Sequence, residues 1–182
     1  QAIRKVAPMM EQLSNSQTGA SLNLRLCPPG TRSSMGSIDA KIHFKTAIKT
    51  DPQTIYELIT TAKGWDSWFT RGMVFNLEPN GEVLFSWKDW GADKVTESER
   101  AVVLDFQPNS YLKFNWNFFL PEGPTTVELI ITRRADDTVL EVIQTGFHDT
   151  KSGLTMLSQC SAGWAEALTL LKIHIEHGIN YN

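Results

Sequence analysis

From Ile38 onward apolar and polar positions alternate almost strictly: Ala40, Ile42, Phe44, Thr46 and Ile48 against Asp39, Lys41, His43, Lys45 and Lys49. A period of two belongs to an extended strand with one buried face, and the charge on the other face marks it as an edge strand. The period then changes. Asp51-Pro52 supplies a cap followed by proline at the first helical position, and Ile55, Leu58, Ile59 and Ala62 recur at helical spacing. A short helix is predicted from Pro52 to Ala62. Gly64 is expected to break it, and Trp65-Asp66-Ser67-Trp68-Phe69 to form a second short turn of helix before Gly72.

Strand patterning returns at Met73 to Glu78 and, after Pro79-Asn80-Gly81, at Glu82 to Trp87, which together read as a hairpin. Val95 to Phe106 is a long strand with Ser98, Arg100, Val102, Leu104 and Phe106 on one side. Pro108-Asn109-Ser110 turns it into Tyr111 to Leu120, whose inward row is Leu112, Phe114, Trp116 and Phe118. Beyond Pro121-Glu122-Gly123-Pro124, the strands Thr126 to Arg134 and Thr138 to Phe147 are joined across Asp136-Asp137. Short turns between consecutive strands predict an antiparallel meander.

The last periodicity is helical, from Leu154 to His177, roughly 24 residues and about 36 Å long. Leu157, Ser161, Trp164, Leu168, Leu171 and Ile175 form its stripe, which Ala167, Leu170 and Ile173 widen beyond that of an ordinary surface helix. Such a helix needs a concave partner, and the sheet is the one large enough. Gly178 is the expected left-handed cap, with Lys172, His174 and His177 near the negative end of the helix dipole. Gly163 is expected to let the backbone approach the sheet closely. The fold class is therefore α+β, a helix-grip arrangement: a curved antiparallel sheet of about seven strands around a long C-terminal helix, with two short helices after the first strand.

Residues 1–37 differ from the rest. Ile3, Val6, Met10 and Leu13 have helical spacing, but Ser14 to Gly19 and Pro28 to Ser34 read as loop or tail. They are expected to be an N-terminal extension that need not belong to the native domain, which would run from 38 to 182. A length of 182 residues with 41% hydrophobic content suits one sizeable core.

Net charge is −3 with both signs interspersed, and Arg133-Arg134 is followed at once by Asp136-Asp137, so no nucleic-acid footprint is expected. The most apolar run, Ala165 to Ile175, is interrupted by Glu166, Thr169, Lys172 and His174, which argues against a membrane span. No apolar run follows Arg4 and Lys5, and Cys27 and Cys160 form no spacing motif. The expectation is a cytoplasmic setting with no disulfide framework, metal or cofactor.

The order strand, two short helices, six strands and a long terminal helix resembles that of the START-like or SRPBCC superfamily, the birch-pollen-allergen fold. Trp65-Asp66-Ser67-Trp68-Phe69, the run Phe85-Ser86-Trp87-Lys88-Asp89-Trp90-Gly91, and Gly146-Phe147 leading through Ser152-Gly153 into Gly163-Trp164-Ala165-Glu166-Ala167-Leu168-Thr169-Leu170-Leu171-Lys172 resemble the branch named for the activator of the heat-shock protein 90 ATPase. The resemblance covers Ile38 to Tyr181. It implies a cavity between sheet and terminal helix for a small hydrophobic or amphipathic molecule. Superfamily members carry lipids, hormones and polyketides, and a few use the cavity for cyclisation or hydrolysis. The co-chaperones of that branch depend on a further N-terminal domain, for which Gln1 to Ser37 is too short, so a chaperone partner is the weaker implication.

Six tryptophans stand out in this composition. As pocket lining they would offer broad apolar faces and an indole donor, whereas the plainer alternative is that they fill a wide core. Trp116 and Trp164 lie on inward faces of the two principal walls, and Trp65 and Trp68 are placed at the cavity mouth. If Leu140 and Val142 face inward, parity sends Gln144 into the cavity as a ligand hydrogen-bonding group. The expected ligand-binding residues are Trp65, Trp68, Trp87, Phe114, Trp116, Gln144, Trp164 and Leu168.

For an enzyme, His148 or a cavity carboxylate is the candidate base, although a polar loop histidine is the plainer reading of His148 and adjacent Asp149 points the other way. Cys160 reads as a small packed hydrophobe without a base to activate it. A binding domain is thus expected first, a cyclase or hydrolase second and a chaperone-interacting module third.

Overall fold

The computed structural model describes residues 39–92, 94–117 and 123–181. The predicted extension 1–37, with Cys27, and Phe118 of the predicted inward row lie outside them. Strand β1 (Ile42–Ile48) is followed by helices α1 (Pro52–Thr60) and α2 (Ala62–Asp66). Then come β2 (Val74–Phe75), β3 (Glu82–Trp90), β4 (Val95–Gln107), β5 (Tyr111–Asn117), β6 (Thr125–Arg133) and β7 (Thr138–Thr145), and finally helix α3 (Lys151–His177). One antiparallel seven-stranded sheet has the order β1-β7-β6-β5-β4-β3-β2. The first strand is an edge strand, as its charged face predicts, and it pairs with the last strand from Ile42↔Gln144 to Ile48↔Thr138.

The concave face is apolar because alternate residues of each strand turn inward. Val83 and Phe85, Ala101 and Val103, Leu112 and Phe114, Val127, Leu129 and Ile131, and Leu140 and Val142 are all buried there. Helix α3 lies against this face with Trp164, Ala167, Leu168 and Leu171 buried. Its ends are chemically fixed. Thr150 accepts the Gly153 N–H at 3.0 Å, which starts the helix at Lys151 rather than Leu154, and Gly178 closes it at φ +65°. Leu154, the predicted first residue, is left 52% exposed on the outer face of that added turn.

Several local predictions are corrected. Gly64 does not break a helix. It sits inside α2, where an added Cβ would lie 2.5 Å from the Glu57 carbonyl oxygen and 2.7 Å from the Leu58 Cα, so its role is the close crossing of α2 over α1. Ala62 accordingly opens α2 instead of ending α1, with Thr61 capping it through the Gly64 N–H at 2.9 Å. The strand predicted over Met73 to Glu78 contracts to Val74–Phe75 because the chain already turns at Asn76, whose carbonyl accepts the Glu78 N–H at 3.0 Å. Strand β7 stops at Thr145, before the predicted Phe147, since Gly146 takes a left-handed φ of +90°.

Gly163 approaches nothing, for a Cβ built on it meets no atom within 4 Å. The close approach belongs to Gly153, where the first turn of α3 presses on the His148 carbonyl oxygen.

Candidate functional site

At one end of the sheet the concave face and α3 diverge around a cavity of about 100 Å³. Strands β3, β4, β5 and β7 bring Trp87, Val95, Glu97, Glu99, Trp116 and Gln144 to it, α2 and the turn after it bring Trp65 and Phe69, and α3 brings Met156, Gln159, Cys160, Gly163, Trp164 and Ala167. The registers explain the convergence. Phe85↔Glu99 and Trp87↔Glu97 across β3 and β4, and Ala101↔Trp116 across β4 and β5, put these residues on one face at one end.

Two pairs of cavity-lining rings meet nearly at right angles. Trp116 and Trp164 pack edge to face with centroids 5.8 Å apart, as do Phe69 and Trp87 at 5.7 Å. Phe85 backs Trp116 in a parallel stack at 4.6 Å, holding that indole in place from the core side. Both members of each edge-to-face pair line the cavity, whereas Phe85 does not.

Two separate sets of hydrogen bonds anchor these rings. The Trp116 indole donates to Glu99 Oε2 at 2.6 Å, and the Trp164 indole donates to Gln144 Oε1 at 2.8 Å. The Gln144 amide in turn donates to Thr125 Oγ1 at 2.8 Å and lies 3.7 Å from Cys160 Sγ. Trp87 differs from both: its indole nitrogen is buried with no hydrogen-bond partner among the described residues.

Burial pushes the Glu99 carboxyl up to about 7, the Trp116 hydrogen bond opposing this and the neighbouring Glu97 charge adding to it. Burial raises Glu97 as well. The Cys160 thiol is pushed up to about 12, by burial first and by the Glu99 charge second, so it stays protonated and is a poor nucleophile. The site therefore offers apolar ring surface, carboxyl acceptors, and one carboxyl able to exchange a proton near neutral pH. Among the described residues, no group of three or more His, Cys, Asp and Glu side chains could hold a metal ion, and no helix is long and apolar enough to cross a membrane.

Of the sequence-predicted site residues, Trp65, Trp87, Trp116, Gln144 and Trp164 line the cavity, whereas Trp68, Phe114 and Leu168 do not. Trp68 stacks on Trp65 at 4.8 Å behind the wall, and Phe114 lies against Phe85 and Trp116 within the core. Leu168 faces a separate groove between α3 and β1, beside Phe44 and Thr46. His148, the histidine considered as a base, is also off the cavity.

Sequence reasoning missed Glu97 and Glu99. It attended to the Ser98, Arg100 and Val102 parity of β4, and charged residues ordinarily mark the solvent side. The available signal was cross-strand: once Phe114 and Trp116 are taken as inward, antiparallel pairing carries Ala101 and Val103 inward, and with them Glu99 and Glu97. A bulge between Val103 and Asp105 then switches parity, which is how Phe106, on the other parity, also packs against the core.

The sequence matches the family model for activator of Hsp90 ATPase homolog 1-like protein over residues 49–176. Among solved structures, the Aha1 dimer from Colwellia psychrerythraea superimposes with a TM-score of 0.65 at 20% identity, over 76% of this chain and 98% of that one. CalU16 from Micromonospora echinospora does so with a TM-score of 0.60 at 18% identity, over 78% and 77%. DynU16, from the dynemicin biosynthetic locus, gives 0.64 at 18% identity over 77% of this chain and 48% of that one. No curated protein sequence matches. At these identities the structural likenesses establish the fold.

Proposed function

The chain belongs to the activator of Hsp90 ATPase homolog 1-like family, and from that premise we propose that it is a binding domain for a small, mainly apolar molecule held between the sheet and α3. The observation that carries this is the cavity itself: ring surfaces on several sides, a buried carboxyl, and a Trp87 donor buried without a partner among the described residues. An apolar pocket with a few convergent polar groups and a perturbed carboxyl is the physical profile of a ligand site.

Size narrows the reading. An apolar cavity of ~150 Å³ holds benzene, so about 100 Å³ encloses a group no larger than a single small ring or a short branched chain and excludes a whole lipid. Native mass spectrometry of the purified chain, with indole fluorescence titrations against small ring compounds, tests it. Adducts that vanish on unfolding, and a fluorescence response removed by Trp116→Ala in a folded protein, are the expected results. A chain that takes up none of these compounds refutes it.

A second reading has its own observation. Glu99 is a carboxyl in an aromatic pocket with its pKa near 7, which suits general acid–base catalysis on a bound substrate. This enzyme would use Glu99 in place of His148. Glu99→Gln would then abolish turnover while ligand binding persisted. A chaperone-directed role draws on the family relation, and is tested by whether the chain raises a chaperone's ATPase rate.

A further inference from the structure

The charge balance of the cavity identifies its ligand class, on the premise that it is a ligand site. Glu97 and Glu99 both line it, while no lysine, arginine or histidine among the described lining residues does. Neither carboxyl takes part in an ion pair among the described residues. The neighbouring cation of the strand, Arg100, is on the opposite face, where it pairs with Glu82 at 3.5 Å. Glu99 is 8% exposed and its described polar contact is the Trp116 indole. One neutral donor is poor compensation for a buried carboxylate beside a second one.

We infer that the cavity takes a small organic cation, an alkyl- or arylammonium, with its charge toward Glu99 and Glu97 and its carbon skeleton against Trp87, Trp116 and Trp164. Aromatic faces attract such cations through the ring quadrupole, indole most strongly, and the attraction grows where water is excluded. Trp87, Trp116 and Trp164 all line the one space, so a cation held there is bordered by three indoles. An anion would be repelled by both carboxyls, and a neutral hydrocarbon would leave them uncompensated. A calcium or magnesium ion requires six or more oxygen ligands, which an aromatic-walled pocket does not provide. An organic ammonium ion needs fewer polar partners.

The test uses calorimetry and indole fluorescence on the full chain with two matched pairs of probes: benzylammonium against benzyl alcohol, and choline against its uncharged tert-butyl isostere. The cation of each pair is expected to bind about tenfold tighter or more. Glu99→Gln should erase that preference and Glu97→Gln should reduce it, read as the ratio of cation to neutral affinity within each pair, with the near-ultraviolet circular dichroism checking that the aromatic wall is intact. Neutral isosteres binding as tightly as the cations would overturn the cation inference and leave the binding domain standing. Cation binding that is indifferent to Glu99→Gln would also overturn it, by placing the cation elsewhere. If no probe of either kind binds, the inference and the binding reading both fall.

Discussion

Two groups of tryptophans share this interior, and their hydrogen bonds separate them. Trp65 and Trp68, around α2, donate to backbone carbonyls of α1, Ile59 at 2.8 Å and Leu58 at 3.5 Å. Trp116 and Trp164 donate to side chains, Glu99 and Gln144. A helix carbonyl cannot turn away without unwinding the helix, so the first pair is bolted into the frame. A carboxylate or an amide can rotate and re-pair, so the second pair makes bonds that a ligand can exchange. Ring content does not distinguish the two regions, but the nature of the acceptor does. Trp65 stands at the junction, with its ring on the cavity wall and its N–H in the frame.

The most severe way to break this comparison is to truncate one member of each pair. Trp65→Ala removes a ring that is 1% exposed and packed against Trp68, Phe69 and Phe85, and leaves the Ile59 carbonyl without its indole donor. It should cost about 3–5 kcal/mol. Trp116→Ala enlarges a space that already exists and should cost about 1–3 kcal/mol, because less packing is lost where one side borders a cavity. Denaturant unfolding of both variants measures the difference. Equal losses would mean that Trp116 is frame as well.

The next largest effect comes from the exchangeable region's carboxyl. Glu99 has a folded-state pKa of about 7 against an ordinary 4.5, so between those values the folded chain holds a proton that the unfolded chain has released. The contribution of Glu99 to stability is therefore full below about pH 4.5 and falls as pH rises through about 7, by an amount on the order of 3 kcal/mol at most. Glu97 on the same strand shifts in the same direction and adds to the slope, and the Cys160 thiol stays neutral throughout this range. Asp51, Glu141 and Glu176, at the surface, are shifted downward and act in a lower window, losing stability as pH falls through their depressed pKa values. Glu99→Gln should stabilise the protein at pH 8 and flatten its unfolding profile between pH 5 and 7. An unchanged profile would show that Glu99 is solvated.

Much of this frame was legible from period alone. The helix stripe on α3, the inward row of β5 and the edge position of β1 all follow from which residues must leave water. Gln144 was legible for the same reason, since Leu140 and Val142 fix the parity of β7. What it does there was not: it is already engaged by Trp164 and Thr125, so in this structure it holds the cavity wall together. Glu97 and Glu99 break the rule that makes period readable, because they put charge on the buried face. The bulge in β4 hides them further, by letting one strand satisfy opposite parities at its two ends. Phe114 is on the inward face that alternation predicts but at a depth that pairing along the sheet decides, and Trp68, expected at the cavity mouth, instead stacks behind Trp65 in the turn after α2, which no periodicity reports.

Glycines give the finest contrast between the regions. At Gly64 an added methyl would meet backbone of α1, which cannot yield as a flexible side chain would, so Gly64→Ala should cost about 1–3 kcal/mol in chemical denaturation. At Gly163 it would meet nothing, although the residue is in the middle of α3. Glycine inside a helix is less favourable than alanine by up to ~1 kcal/mol, chiefly through backbone entropy. Gly163→Ala should therefore raise stability by somewhat less than that amount. Its new methyl would stand at the lining of a cavity of only about 100 Å³ and take up room that a ligand uses. A variant that gains in thermal unfolding while losing affinity for a small probe would show that an open position is kept on α3 at the expense of helix stability. If the variant gains stability and binds as before, Gly163 faces the cavity without bounding it.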